Sequence, residues 1–140
     1  MIIKAIEKAF SQKEEKNWDK TYWGIDVHDT IIIPNYVDGK IPTEFYPDAI
    51  EGLQLISKRT DIIRILYTCS HPHEIEEYIK LFKSHDIHFQ YINENPEIRN
   101  HGYGCYDKKI YFNVLIDDKS GFDPYTDWKL IIDHLKNLPS

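Results

Sequence analysis

The stretch Tyr22-Trp23-Gly24-Ile25-Asp26-Val27-His28-Asp29-Thr30 decides how this chain reads. A short, evenly apolar run ends abruptly in a carboxylate. Two more runs behave the same way: Ile62 to Tyr67 ends at Thr68, and Tyr111 to Ile116 ends at Asp117 and Asp118. Runs this short and this apolar fit strands buried on both faces, as in a parallel sheet. A weaker run, Phe89 to Ile92, ends at Asn93. Helical spacing fills the intervals. Asp48 to Lys58 carries Ile50, Leu53 and Ile56, and His73 to Lys83 carries Ile75, Tyr78, Ile79 and Phe82 behind Pro72. Tyr125 to Leu138 carries Trp128, Ile131, Ile132 and Leu135. Ahead of the first strand, Ile3, Ile6 and Phe10 form one face of a helix over residues 1–15. Alternating strand and helix predicts an α/β fold, a three-layer α/β/α Rossmann-like parallel sheet. The expectation is one domain over residues 1–140, with residues 1–20 as an N-terminal helix packed on the core.

In such sheets ligands bind beyond the carboxyl ends of the strands. The residues there are Asp26, Thr68, Asp117 and Asp118. Three converging carboxylates repel one another unless a cation intervenes, and oxygen-only ligands suit a hard ion such as Mg²⁺. Strand-end and helix-capping roles are the structural alternative for each residue taken singly.

Composition narrows the partners. The formal charge is −6, which argues against a general nucleic-acid binder. No apolar run approaches the roughly 20 residues that span a bilayer, and the first residues lack a signal-peptide core, so the expected setting is cytoplasmic. Cys69 and Cys105 form no framework and are expected to be inert core or near-core thiols.

The residues Gly24-Ile25-Asp26-Val27-His28-Asp29-Thr30 resemble the first motif of the haloacid dehalogenase superfamily, a strand followed by Asp-x-Asp-x-Thr or Val. Ile65-Leu66-Tyr67-Thr68 resembles the second motif, Lys109 the third, and Leu115-Ile116-Asp117-Asp118 the fourth, in the family's order. The resemblance implies a Mg²⁺-dependent phosphohydrolase in which Asp26 attacks phosphorus and forms an aspartyl-phosphate. It implies metal ligands from Asp26, the backbone carbonyl of His28, and Asp117 or Asp118. It also gives Thr68 the role of phosphoryl donor, with Ser70 as substitute, and Lys109 that of charge compensation, with Lys108 as its neighbour.

His28 departs from the pattern. The family places a second Asp there to protonate the leaving oxygen and activate water, help worth about 10²–10⁴ in rate. An imidazole can move protons near neutral pH, so slow hydrolysis is one expectation, with His28 among the catalytic residues. A catalytically silent binding or assembly module is the other, and a turn-capping role for His28 is the structural alternative. Asp29 also stands where Gly is common.

Sixteen residues lie between Thr30 and Pro47, and sixteen span Asn93 to Lys108, too few for a cap domain. The site is therefore expected to be open to a phosphorylated small molecule, nucleotide or macromolecule. Pro34, Asn35, Tyr36, Pro42, Phe45 and Tyr46 are expected to form an aromatic rim. Asn100 to Tyr106 are expected to form a mobile loop on the same side, suited to stacking on a ligand or to a homo-oligomer contact. His71, three residues past Thr68, is placed within reach of the phosphate site.

Overall fold

The computed structural model describes residues 2–139. Four strands, β1 (Thr21–Ile25), β2 (Ile62–Leu66), β3 (Tyr91–Ile92) and β4 (Val114–Ile116), alternate with α1 (Ile2–Glu15), α2 (Ala49–Ser57), α3 (Pro72–Lys83) and α4 (Asp127–Lys136). The sheet is wholly parallel, in the order β3-β2-β1-β4. The expected α/β class with a Rossmann-like parallel sheet is present. No helix among the described residues is long and apolar enough to cross a membrane.

Register assigns the two faces. Trp23 pairs with Arg64 and Val114, and Ile25 with Leu66 and Ile116. These residues point to one face, where Ile6, Leu53, Ile56, Tyr78, Phe82, Trp128 and Ile131 complete a continuous core. Helix α1 turns Ile2, Ile6 and Ala9 inward, with Ile3 and Phe10 at the margin. Arg64 interrupts the apolar run of β2 yet is buried, because its guanidinium donates to the carbonyls of Ile56, Arg59, Ile62 and His88. A buried cation is tolerated when its donors are satisfied in this way.

Tyr22 and Gly24 point to the other face. There Phe112 lies on Gly24, and Tyr111 meets Tyr22 edge to face at 6.0 Å. The segment from Asn93 to Asn113 supplies this covering as irregular chain. The strand expected over Tyr111 to Ile116 therefore begins only at Val114, because Tyr111 and Phe112 are spent on covering the sheet. Polar ties secure the segment: Tyr22 and Tyr91 hydroxyls and Lys20 all donate to Glu97, at 3.1, 2.6 and 3.0 Å.

After Asp26 the chain turns sharply, with the Val27 carbonyl accepting from Ile31 at 2.8 Å and Ile32 at 3.0 Å. Asp29 sits in the left-handed region at φ 62, which explains a carboxylate where glycine is the usual solution. The chain to α2 then folds back on itself, Tyr46 N–H donating to Ile31 at 3.0 Å, and forms no cap. Tyr46 is buried in the core, so the expected aromatic rim is reduced to Tyr36 at its outer edge. Helix α3 opens with Pro72 in its first turn and a Glu74 carboxylate accepting from the His71 N–H at 3.0 Å. His71 thus serves as a helix cap and stacks on His73.

A Cβ at position 24 would lie 2.6 Å from the Phe112 ring. Gly24→Val should therefore cost about 1–3 kcal/mol through overpacking. Urea unfolding should show a lowered midpoint with an unchanged slope.

Candidate active site

The parallel register sets the site. Because Ile25 is level with Leu66 and Ile116, Asp26 and Asp117 emerge side by side beyond the last paired residues. The Asp26 N–H donates to Ile116 at 2.9 Å, holding the two ends together. Carboxylate oxygens of Asp26, Asp117 and Asp118 lie within 4.8 Å of one another. Among the described residues, no basic side chain forms an ion pair with any of the three.

Thr30 locks this arrangement. Its fully buried hydroxyl donates to Asp26 Oδ2 at 3.4 Å and accepts the Asp118 N–H at 3.1 Å. Its carbonyl accepts the Trp128 indole N–H at 2.9 Å, which ties the site to α4. Asp117 caps the following 3-10 turn, Asp118–Ser120, by accepting from the Lys119 N–H at 2.9 Å.

The electrostatics follow from crowding. Burial, then the negative charge of Asp117, pushes the Asp26 carboxyl up to about 7. Burial raises Asp117 as well. A carboxylate held this close to neutrality and without a basic partner is stabilised by a hard cation, and binding one releases the proton. The donor set of three carboxylates fits Mg²⁺.

Thr68 is buried at the end of β2, with its hydroxyl 2.8 Å from that of Ser70. A residue not anticipated, Asn93, holds it there: its side chain accepts from the Thr68 N–H at 2.8 Å and donates to the Thr68 carbonyl at 2.7 Å. Asn93 adopts φ 54 and continues the ladder as a backbone mimic. Its position right after an apolar run was the available signal.

Four expectations meet the structure here. The His28 imidazole does not hydrogen-bond to Asp26; Nε2 lies 2.5 Å from the Tyr78 hydroxyl and 2.7 Å from that of Tyr36. Burial lowers its pKa and favours the neutral ring. Lys109 is exposed, and no ion pair or hydrogen bond joins it to the carboxylates. The irregular path of residues 93–113 is the reason, since it places no lysine in a fixed helical frame beside the site. Cys69 and Cys105 are both exposed, because each lies in a loop past a strand end and not in the core. The loop around Tyr103 faces the amino-terminal end of β1, lining a groove with Trp18 and Lys20, and not the carboxylate end.

No family model matches the sequence, and no curated protein matches it. A solved structure from Bacteroides thetaiotaomicron, described as that of a conserved protein, is similar in fold. Its TM-score is 0.62 at 21% identity, over 86% of this chain and 93% of that one. At this identity the likeness shows the α/β fold alone.

The raised Asp26 pKa carries a sign. The folded chain binds a proton that the unfolded chain has released above about pH 4, so metal-free stability should fall as pH rises from about 4 to 7. Asp26→Asn should flatten that slope and stabilise the metal-free protein at pH 7 on the order of 1 kcal/mol, after allowance for solvent screening. Thermal melts in EDTA across this range measure both effects.

Proposed function

We propose that this chain is a capless phosphohydrolase of the haloacid dehalogenase type, acting on phosphomonoesters through Asp26. The observation that carries the reading is the Asp26, Asp117 and Asp118 cluster within 4.8 Å, with no basic partner among the described residues. Asp26, the backbone carbonyl of His28, and Asp118 or Asp117 would hold Mg²⁺. The chemistry Mg²⁺ supplies when bound is neutralisation of charge on the transferring phosphoryl group.

In this reading an Asp26 carboxylate oxygen forms a bond to phosphorus as the bond to the leaving oxygen breaks. That oxygen leaves with a proton taken from solvent, and the water of the next step returns one to solvent. Water then attacks phosphorus, inorganic phosphate departs and the carboxylate is restored. The Thr30 hydroxyl orients Asp26 from below, and the Thr68 hydroxyl, shared with Ser70, donates to a phosphoryl oxygen. The expected setting is cytoplasmic, and the absence of a cap leaves room for a substrate of any size.

The capture of His28 favours slow turnover and keeps the second reading, a silent binding module, in play. An imidazole held by Tyr36 and Tyr78 is poorly placed to serve the leaving oxygen. His28→Asp restores the carboxyl of the family pattern and loses only the tyrosine contacts.

Hydrolysis of p-nitrophenyl phosphate should depend on Mg²⁺, vanish in EDTA, and fall to background in Asp26→Asn without loss of fold. Activity unchanged in that variant excludes Asp26 as nucleophile.

His28→Asp should raise kcat by about 10²-fold. No gain there, together with a loss of about 10² in His28→Ala, would make the imidazole itself the working acid and base. Background rates in the wild type and both variants assign the chain to the silent module.

A further inference from the structure

A groove of about 730 Å³ lies at the amino-terminal end of β1, lined by Trp18, Tyr103, Tyr106, Tyr111 and Lys16 among others. This volume falls within the roughly 300–1,000 Å³ of small-molecule sites. The length of β1 separates it from Asp26 by about 15 Å. It is therefore distinct from the carboxylate site.

Tyr103 is 99% exposed, at the tip of a turn closed by reciprocal backbone bonds between His101 and Gly104 of 2.9 and 3.1 Å. The Tyr103 N–H donates to His101 Nδ1 at 3.0 Å. Any Cβ at Gly104 would collide with the Tyr106 hydroxyl, so glycine is what lets Tyr106 close beneath the turn. Tyr106 meets Tyr111 edge to face at 5.6 Å, and Tyr111 meets Tyr22 at 6.0 Å, which anchors this wall to the sheet. Trp18, 37% exposed, lines the same groove, with the Lys16 ammonium 5.3 Å from its ring.

Exposed aromatic faces along one groove suit a planar ring, since stacking on them needs no particular hydrogen-bond pattern. At the mouth, the Asn17 amide and Asp19 carboxylate are exposed and have no side-chain hydrogen bond to the described residues. Together they offer one donor and several acceptors, the complement of a base edge that carries both kinds of group. Lys20 is neutralised by Glu97 at 3.0 Å, leaving Lys16 against Asp19 and a groove close to electrically neutral. A neutral groove on a chain of charge −6 selects against a polynucleotide and admits a single small ligand. We propose that this groove binds a nucleobase-bearing small molecule, a nucleoside or nucleotide, stacked on the aromatic lining that includes Trp18 and Tyr103.

The tryptophans provide the readout. Trp23 and Trp128 are fully buried, so a change in fluorescence on adding ligand reports Trp18. Titration with adenosine, uridine and AMP, excited at the red edge to avoid the base, should give saturable quenching. Tyr103→Ala touches no packed surface and should weaken binding by about tenfold, while Asp26→Asn should leave the titration unchanged. Equal affinities for adenosine and AMP assign recognition to the base; tighter AMP adds a phosphate contact from Lys16. Absence of saturable quenching by every nucleoside and nucleotide overturns the proposal. So does a response only to a disaccharide such as maltose, or binding indifferent to Tyr103→Ala.

Discussion

The Thr30 hydroxyl donates to Asp26 and accepts from the Asp118 N–H, and its carbonyl receives the Trp128 indole. These bonds join the turn after β1, the end of β4 and the first turn of α4, elements distant in sequence, at a fully buried point. A hydroxyl is suited to this place because it can donate and accept at once. The like charges of Asp26, Asp117 and Asp118 would otherwise separate toward solvent. Holding them together is work done by the fold against electrostatics, and the raised Asp26 pKa records it. Local stability is given up at this end of the sheet to hold the charge cluster together.

The two faces of the sheet meet opposite demands. On the Trp23 face, branched and aromatic side chains from all four helices close one continuous core. On the Gly24 face, an irregular segment covers the sheet with Phe112 and Tyr111, and Glu97 gathers three donors to pin it. Aromatic rings are effective here because each covers a large area per residue ordered. The same choice leaves β4 short and carries Lys109 to the surface. It also brings Tyr103 and Tyr106 to the amino-terminal end of β1, where they define a second concavity.

His28 lies where the two halves of the functional question meet. Its backbone belongs to the acidic turn, while its ring belongs to an aromatic cluster with Tyr36 and Tyr78. Nε2 is the one ring nitrogen that meets both hydroxyls. Partial burial of the ring lowers its pKa and favours the neutral imidazole. In the proposed reading, where His28 stands in place of a carboxylate, this integration into packing fits slow proton transfer or none.

Much of this was legible in the sequence because it depends on local pattern. Apolar runs ending at Asp26, Thr68 and Asp117 specify a parallel sheet and deliver those residues to one edge, since strand polarity alone decides which end they occupy. Helix α3 is announced by Pro72 and the spacing of Tyr78 and Phe82. What depends on side-chain direction was not legible. Arg64 reads as an intruder in a strand until the carbonyls of Ile56 and His88 are seen around it. Asn93 reads as a terminator until its amide closes on Thr68. His28 reads as a substituted acid–base group until Tyr36 and Tyr78, from two other segments, converge on one nitrogen. The positions of Lys109 and Tyr103 follow from a segment without periodicity, whose path is set by the aromatic contacts it makes with the sheet. Those contacts join residues far apart in sequence, so tertiary structure alone decided them.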